Sequence, residues 1–155
     1  MSPAESDLTL LLHQTRDENI ANALQALSRN GLPHYSEAAQ EQNRERLTAL
    51  YDAAVESIAR RTLEPTTRHA RAVANERFKA GFDLHEVHTA FNVLEEALWR
   101  TITQRLEPSR YPEALGMVST VLGAGKEALA VEYVALAGHG SFRSLDLTAL
   151  FHGTA

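Results

Sequence analysis

The sequence predicts an all-α protein, on the basis of two observations. Apolar residues recur every three or four positions along nearly the whole chain, which is the period of a helix that buries one face. No segment alternates polar and apolar residues between hairpin turns, as a β-strand would. At 155 residues, with 44% hydrophobic and 23% charged residues, the chain has the size and composition of one folded domain. We therefore expect a single domain over residues 1–155, with about five long helices and a short C-terminal helix, arranged as an antiparallel bundle or a globin-like fold.

Glycine and proline bound the first three helices. The first runs from about residue 7 to residue 28 and ends at Asn30-Gly31-Leu32-Pro33, because glycine supplies a positive-φ position and proline cannot continue a helix. The second begins near Ser36, a candidate N-cap. Pro65 fits the first turn of the third helix, where its missing N–H costs nothing, and Gly81 ends that helix. The buried stripe of the second helix comprises Leu47, Leu50, Tyr51, Ala54, Val55 and Ile58.

The clearest local signal lies between the third and fourth helices. Gly81 can end one helix in the left-handed conformation, and Asp83 with Glu86 three residues later predicts a capping box at the start of the next. The fourth helix then has one apolar stripe of about six turns, formed by Leu84, Val87, Phe91, Leu94, Leu98, Ile102 and Leu106. Val93, Ala97 and Trp99 widen this apolar surface. Such a helix is either central to its bundle or partly buried against a partner.

The fifth helix follows Pro108 and Pro112 and carries several glycines. Its apolar face comprises Tyr111, Leu115, Val118, Leu122, Leu129, Tyr133 and Leu136. Each glycine in a helix interior costs roughly 1 kcal/mol relative to alanine, so Gly116, Gly123 and Gly125 predict a close helix contact or a kink near Gly123. The tail, residues 141–155, is too apolar for a solvated end, and we expect a short docked helix that uses Phe142, Leu145, Leu147, Leu150 and Phe151.

The composition narrows the function classes. The chain has no cysteine, which excludes disulfides, thiolate metal sites and thiol catalysis. A net charge of −5 provides no broad positive field for nucleic acid or an anionic membrane surface. The N-terminus lacks the basic region of a secretory signal, and no uninterrupted apolar run approaches the ~18 residues of a membrane span. We therefore expect a cytoplasmic protein that binds neither nucleic acid nor membranes, and its excess of arginine over lysine is typical of GC-rich bacterial genomes.

His85 and His88 form the only spacing that suggests a metal site. They stand three residues apart on one helix, which can place two imidazoles on one ion. No Glu-x-x-His or His-Glu-x-x-His pattern accompanies them, so the simpler interpretation is a solvent-facing His85 and a His88 at the border of the apolar stripe. The neighbouring Glu95 and Glu96 point in different directions and predict a polar face, not an acid–base pair. We expect no bound metal, no cofactor and no catalytic site.

Two further features could carry a ligand. The run Gly123-Ala124-Gly125-Lys126 is similar to part of a phosphate-binding loop, but Glu127 stands where that loop has Ser or Thr, and the run lies inside a helical pattern. Glu132 falls among apolar residues, where it needs a partner such as Arg71 or Arg77, or could respond to a ligand or a proton. Candidate ligand-binding side chains are therefore His88, Trp99, Glu132 and Tyr133, although aromatic residues at helical spacing more commonly belong to a core.

Residues 68–136 resemble a known family. The shared features are an arginine-containing helix from His69-Ala70-Arg71 to Phe78, the Gly81-Phe82-Asp83-Leu84 turn with Glu86 after it, and an apolar stripe that ends in Leu98-Trp99. This order is similar to the N-terminal helical domain of RsbT co-antagonist (RsbRD-type) stressosome proteins, and to input domains of bacterial sensor kinases and PucR-like regulators. The resemblance implies a homodimeric, non-catalytic input domain of a stress-response pathway, and it transfers no catalytic residues.

The sequence leaves three hypotheses open. The leading one is a bacterial regulatory or sensory domain that acts through dimerisation and protein–protein interaction. No STAS, kinase or helix-turn-helix domain follows by Ala155, so we expect either a piece of a larger regulator or a stand-alone version that acts in trans. The second is a globin-like sensor of haem or another small apolar molecule, with His88 or another histidine as the axial ligand. The third is a small helical metalloprotein that uses His85 and His88.

Overall fold

A computed structural model describes residues 3–36 and 39–141. In this part of the chain there are no strands, and the helices are α1 (Pro3–Gln14), α2 (Arg16–Ser28), α3 (Gln40–Arg60), α4 (Glu64–Lys79), α5 (Leu84–Arg105) and α6 (Tyr111–Ser141). A 3-10 turn, Pro108–Arg110, precedes α6. The predicted all-α class is confirmed. The predicted tail helix lies outside the described residues.

The helices enclose one hydrophobic core in which α5 is central. α6 packs against α4 and α5, α5 also packs against α2, and α3 packs against both α2 and α4. Every member of the predicted α5 stripe is buried or packed against the core, and Val93 and Ala97 are buried as well. The additional apolar surface of α5 is therefore buried mostly within the chain. Of the two alternatives that the sequence left for this helix, a central place in the bundle or burial against a partner, the structure shows the first.

Thr15 divides the predicted first helix into α1 and α2. Its backbone leaves the helical region (φ −104°, ψ 13°), and its hydroxyl donates to the Leu11 carbonyl at 2.7 Å. Asn19 then donates from Nδ2 to Thr15 Oγ1 at 2.9 Å and to the Tyr51 hydroxyl at 3.1 Å, and Tyr51 donates to the Leu12 carbonyl at 2.6 Å. The prediction of one continuous helix was wrong because apolar residues keep helical spacing on both sides of this buried polar network.

The boundaries of α3 also differ from the prediction. α3 begins at Gln40, the N-cap position is Ala39 without a side-chain hydrogen bond, and Ser36 lies in a bend before it. The predicted Ser36 cap was therefore wrong. At the C-terminal end of α3, Arg61 adopts the left-handed conformation (φ 55°). The sequence did not indicate this helix end, because no glycine stands there.

The α4–α5 turn was predicted correctly. Gly81 has φ +86°, the Phe82 N–H donates to the Arg77 carbonyl at 3.0 Å, and the Gly81 N–H donates to the Phe78 carbonyl at 3.2 Å. These two bonds form a Schellman motif, which satisfies the last carbonyls of α4. Asp83 and Glu86 form the predicted capping box at the start of α5. Pro65 occupies the first turn of α4, as predicted.

α6 continues without interruption through its glycines. At Gly125, an added Cβ would lie 2.9 Å from Thr66 Cγ2 on α4 and 3.0 Å from Phe91 Cε2 on α5. Glycine therefore permits the close approach of three helices at this point. A Cβ at Gly116 or at Gly123 would meet no atom within 4 Å. The predicted close contact exists two residues after Gly123, and α6 remains a continuous helix at both positions.

Candidate functional site at the turn between α4 and α5

Phe82, in the turn between α4 and α5, contacts side chains from four other parts of the chain. The His34 imidazole, from the loop between α2 and α3, stacks on its ring with centroids 3.8 Å apart and planes 16° apart. The guanidinium carbons of Arg46 on α3 and Arg77 on α4 lie 5.3 Å and 5.5 Å from the ring centroid, within cation–π range. The Tyr133 hydroxyl on α6 donates to the Phe82 carbonyl at 3.0 Å. These five residues are called the Phe82 cluster below.

Glu86 ties this cluster to the start of α5. Its N–H donates to Asp83 Oδ1 at 2.8 Å, and Asp83 N–H donates to Glu86 Oε1 at 3.2 Å. The other carboxylate oxygen lies 2.6 Å from His34 Nδ1, and the Tyr35 hydroxyl donates to the Glu86 carbonyl at 2.6 Å. Because a carboxylate only accepts hydrogen bonds, His34 carries a proton on Nδ1. These bonds offset the cost of burying the Glu86 carboxylate.

Two buried tyrosines act as hydrogen-bond donors at this site. Burial raises the pKa of Tyr133 to about 12, against an opposing effect of the Arg77 charge. Burial also raises the pKa of Tyr35, with Arg77 again acting in the opposite direction. Both phenols are therefore protonated at neutral pH and hold the backbone of the α4–α5 turn through hydrogen bonds. This arrangement fixes a conformation, and it places no activated nucleophile in the turn.

The predicted histidine pair lies on α5, beside this site. His85 is exposed and His88 is half-buried. Burial is the largest cause that lowers the pKa of His88, and the charges of Lys126 and His85 lower it further. His88 is therefore neutral at pH 7. Over residues 3–36 and 39–141, no group of three or more His, Cys, Asp or Glu side chains is placed to hold a metal ion. The described structure thus brings no third ligand to His85 and His88.

Trp99 and Tyr133, two of the predicted ligand-binding candidates, do not share a cavity. Trp99 is 44% exposed on α5, so it belongs neither to a closed cavity nor to the core. Tyr133 is buried, packs edge-on against Phe78 with centroids 5.6 Å apart, and belongs to the Phe82 cluster. The helical spacing placed both residues near apolar stripes, but Trp99 lies at the exposed border of its stripe.

Glu132 has a different partner from those predicted. Its Oε1 accepts a hydrogen bond from Asn75 Nδ2 at 3.1 Å, whereas Arg77 pairs with Glu76. Arg71 is exposed, and Asn75 also donates to the Arg71 carbonyl at 2.9 Å. Glu132 is therefore a partly buried carboxylate held by a neutral amide between α4 and α6. Neither arginine suggested as a partner, Arg71 or Arg77, pairs with Glu132 in the described part of the chain, and Arg77 lies against Phe82 instead.

The glycine-rich run of α6 is part of a helix and has a structural explanation. Gly125 lies against Thr66 and Phe91, and the Lys126 ammonium lies 3.0 Å from Glu95 Oε2 on α5. Glu96, the neighbour of Glu95, pairs instead with Arg100 at 3.1 Å. The run is therefore a helix-packing element, and Glu95 and Glu96 point in different directions, as the sequence indicated.

An apolar cleft of about 420 Å³ lies between the end of α3 and the first half of α6. The residues that line it include Ile58, Leu63, Gly116, Met117 and Val121, and its lining contains no histidine. An axial histidine for haem is therefore not available in this cleft. The volume lies within the range of small-molecule sites.

α6 also has an exposed face with few charges. Gly116, Thr120, Gly123 and Glu127 are exposed at intervals of three or four residues, and Val131 and Val134 follow with 63% and 62% of their surfaces exposed. These six residues are called the outer face of α6. By length and composition alone, α6 could span a membrane, and 33% of its most apolar stretch is buried within the chain. The opposite side of α6 packs in the core through Val118, Leu122, Leu129 and Tyr133.

Sequence reasoning found the turn that carries Phe82 and missed most of the side chains that contact its ring. The roles of Gly81, Asp83 and Glu86 in this turn were predicted because their interactions span only three residues. His34 and Arg46 were missed, since they lie 48 and 36 positions before Phe82 and no periodic pattern links them to it. The one available signal was an aromatic residue at the exit of a glycine turn, where a helix end often makes an apolar contact.

A comparison with known protein families supports the resemblance noted above. The family model described as RsbT co-antagonist protein rsbRD N-terminal domain matches residues 18–137, which is 120 of the 155 residues. No curated protein and no solved structure matches the chain. The family consists of regulatory, non-catalytic domains of the stressosome type. Because the match covers most of the chain, including the α4–α5 turn, the protein belongs to the RsbT co-antagonist rsbRD N-terminal domain family.

Proposed function

We propose that this protein is a cytoplasmic sensory module that pairs with a second copy of itself and passes a signal to a protein partner. The observation that carries the pairing is the outer face of α6, where Val131 and Val134 are exposed on a helix whose other side is packed in the core. Burial of a valine side chain contributes roughly 1.5–3 kcal/mol, so two such residues per chain favour association. The apolar surface that the sequence assigned to α5 is used within the chain, so α6 replaces α5 in this proposal.

The small residues of the outer face also suit helix–helix contact. Gly116, Thr120 and Gly123 lie three or four positions apart, and Glu127 continues the same spacing to the two valines, so the face runs along most of α6. With a rise of about 1.5 Å per residue, the helix is about 46 Å long. Two such helices provide a contact of the length that a specific interface of about 800 Å² per partner needs.

A self-association is preferred over a membrane location for α6. The core residues of α6 include Leu122 and Leu129, both fully buried against the other helices. Insertion of α6 into a bilayer would remove these side chains from the core and expose the surfaces that they cover.

Light scattering coupled to size exclusion tests the pairing. At micromolar concentration we expect a mass twice the 17.1 kDa of one chain. The double variant Val131→Glu/Val134→Glu should be monomeric, because two carboxylates per chain would be buried in the contact. Leu10→Glu is the matched control, since Leu10 is 57% exposed and lies on α1, outside the outer face of α6. A monomeric parent protein, or a dimer that survives the double substitution, would reject the proposed pairing.

A second candidate function is binding of a small apolar molecule, which the 420 Å³ cleft between α3 and α6 favours. Nile red is a suitable apolar probe, and we expect its fluorescence to rise with saturation on addition of the protein. Gly116→Leu should weaken binding because Gly116 lines the cleft and has open space for a side chain. Gly123→Leu, an equally open position of α6 outside the lining, should bind Nile red like the parent protein. Equal binding by both variants would exclude this cleft as the site.

A further inference from the structure

A second cleft, of about 380 Å³, lies between α3 and α4 beside the Phe82 cluster. Arg46 and His69 line it from opposite helices, and Arg77 lines it at the end that is nearest Phe82. Glu45 and Glu76 also line the cleft, and both side chains belong to exposed residues. The acidic residues of the cleft, Glu45 and Glu76, are therefore more exposed than its arginines, Arg46 and Arg77.

Two guanidinium groups, those of Arg46 and Arg77, line this cleft. Arg77 is only 5% exposed, and its paired carboxylate, that of Glu76, belongs to an exposed residue. The Arg46 Nη1 donates to Asn43 Oδ1 at 3.4 Å, and Arg46 forms no ion pair within the described part of the chain. Both guanidinium carbons lie within 5.5 Å of the Phe82 ring centroid. Both arginines thus lie against the same aromatic ring. Within the described residues, Arg77 is paired with a carboxylate, and Arg46 is not.

The positive charges of Arg46 and Arg77 repel each other beside the Phe82 ring. Burial is the largest cause that lowers the pKa of Arg46, and repulsion from Arg77 is the second, whereas the charges of Glu76 and Glu45 act in the opposite direction. A guanidinium nevertheless stays protonated at any physiological pH, so the repulsion between Arg46 and Arg77 persists in the folded protein. An anion bound by both guanidinium groups would accept hydrogen bonds from each and offset this repulsion.

We propose that the cleft between α3 and α4 binds a small organic anion, whose carboxylate or phosphate group is held by Arg46 and Arg77. Glu76 competes with this anion for Arg77, so the ligand must displace one carboxylate contact. The volume fits a molecule of metabolite size. Both arginines contact Phe82, so the occupied cleft would stiffen the α4–α5 turn. This site is separate from the outer face of α6, and either proposal can fail without the other.

Inorganic sulfate is a suitable first probe because its charge does not change near neutral pH. Its binding can be followed by NMR through the imidazole C–H signals of His69, which lines the cleft. We expect these signals to shift along a saturable curve. Arg46→Gln should weaken sulfate binding by about tenfold or more, because one charge-assisted fork is lost. Arg44→Gln is the matched control, since Arg44 is exposed on the same helix and carries the same charge.

A third variant tests the competition with Glu76. In Glu76→Gln, Arg77 loses its carboxylate and becomes available to the anion, so sulfate should bind several-fold more tightly than in the parent protein. Opposite changes in Arg46→Gln and Glu76→Gln, with Arg44→Gln unchanged, would establish the site. Non-saturating shifts of the His69 signals, or equal sulfate binding by Arg46→Gln and Arg44→Gln, would overturn the proposal. Inorganic phosphate serves as a second probe. If neither anion gives a saturable shift of the His69 signals, the proposal is also overturned.

Discussion

The His34 imidazole lies almost parallel to the Phe82 ring, 3.8 Å from it between centroids, and thereby connects the α2–α3 loop to the α4–α5 turn. Phe82 is also buried between Arg46, Arg77 and Tyr35, whose ring centroid lies 6.1 Å away. The ring therefore acts as a shared packing surface for three segments that are far apart in sequence. Substitutions at this position should affect the stability of the whole domain.

Phe82→Ala should lower the free energy of unfolding by about 3–5 kcal/mol, which is the usual cost of removing a buried phenylalanine side chain. Phe82→Leu should cost less, because it keeps most of the apolar volume and loses only the ring contacts. Urea denaturation of the two variants and the parent protein measures the difference. A loss below about 1 kcal/mol in Phe82→Ala would mean that the turn is held by its backbone hydrogen bonds and not by the ring.

Glu86→Ala should destabilise the protein more than Glu86→Gln. Alanine removes both the capping-box contact with Asp83 and the bond to His34, whereas glutamine can keep the capping contact. A double-mutant cycle of Glu86→Gln with His34→Leu then measures how much the charge of Glu86 contributes to its pairing with His34, for which we expect about 1 kcal/mol. Additive effects of the two substitutions would show that this charge contributes nothing to the 2.6 Å contact.

The turn around Phe82 illustrates what a single sequence can predict. The glycine, the capping box and the α5 stripe depend on residues within one or two turns of each other, so their spacing is visible in the chain. The partners of Phe82 and Glu132 depend on which helices become neighbours, and spacing carries no such information. The break at Thr15 was missed for the same reason, since Asn19 and Tyr51 stabilise it across two helices.

Gly123→Ala and Gly125→Ala should change stability in opposite directions. At Gly123 the new methyl group meets open space, so the gain in helix propensity should stabilise α6 by up to about 1 kcal/mol. At Gly125 the methyl group would lie 2.9 Å from Thr66 Cγ2 and 3.0 Å from Phe91 Cε2, and the resulting overpacking should cost about 1–3 kcal/mol. Denaturation at one fixed protein concentration compares the pair. Stabilisation by both substitutions would mean that the contact between α4, α5 and α6 can open without cost.

His69 should make the domain less stable in mild acid. Burial is the main cause that lowers the pKa of His69 from its ordinary 6.5, and the Arg77 charge lowers it further against the opposing charge of Glu76. The unfolded chain therefore binds a proton at a pH where the folded chain does not. The free energy of unfolding should fall as the pH drops below about 6.5, and the loss should continue down to the lowered pKa of the folded state.

His69→Gln should reduce this pH dependence, because glutamine has no proton to bind in either state. His13→Gln is the control, since His13 is exposed on α1 and lies far from the cleft residues in sequence. His88, whose pKa is also lowered by burial, should account for part of the slope that remains. The measurement is the urea denaturation midpoint of each protein at several pH values between about 5 and 7.5. An unchanged slope in His69→Gln would mean that His69 takes up its proton in the folded protein as readily as in the unfolded chain, through a movement that exposes the α3–α4 cleft to water.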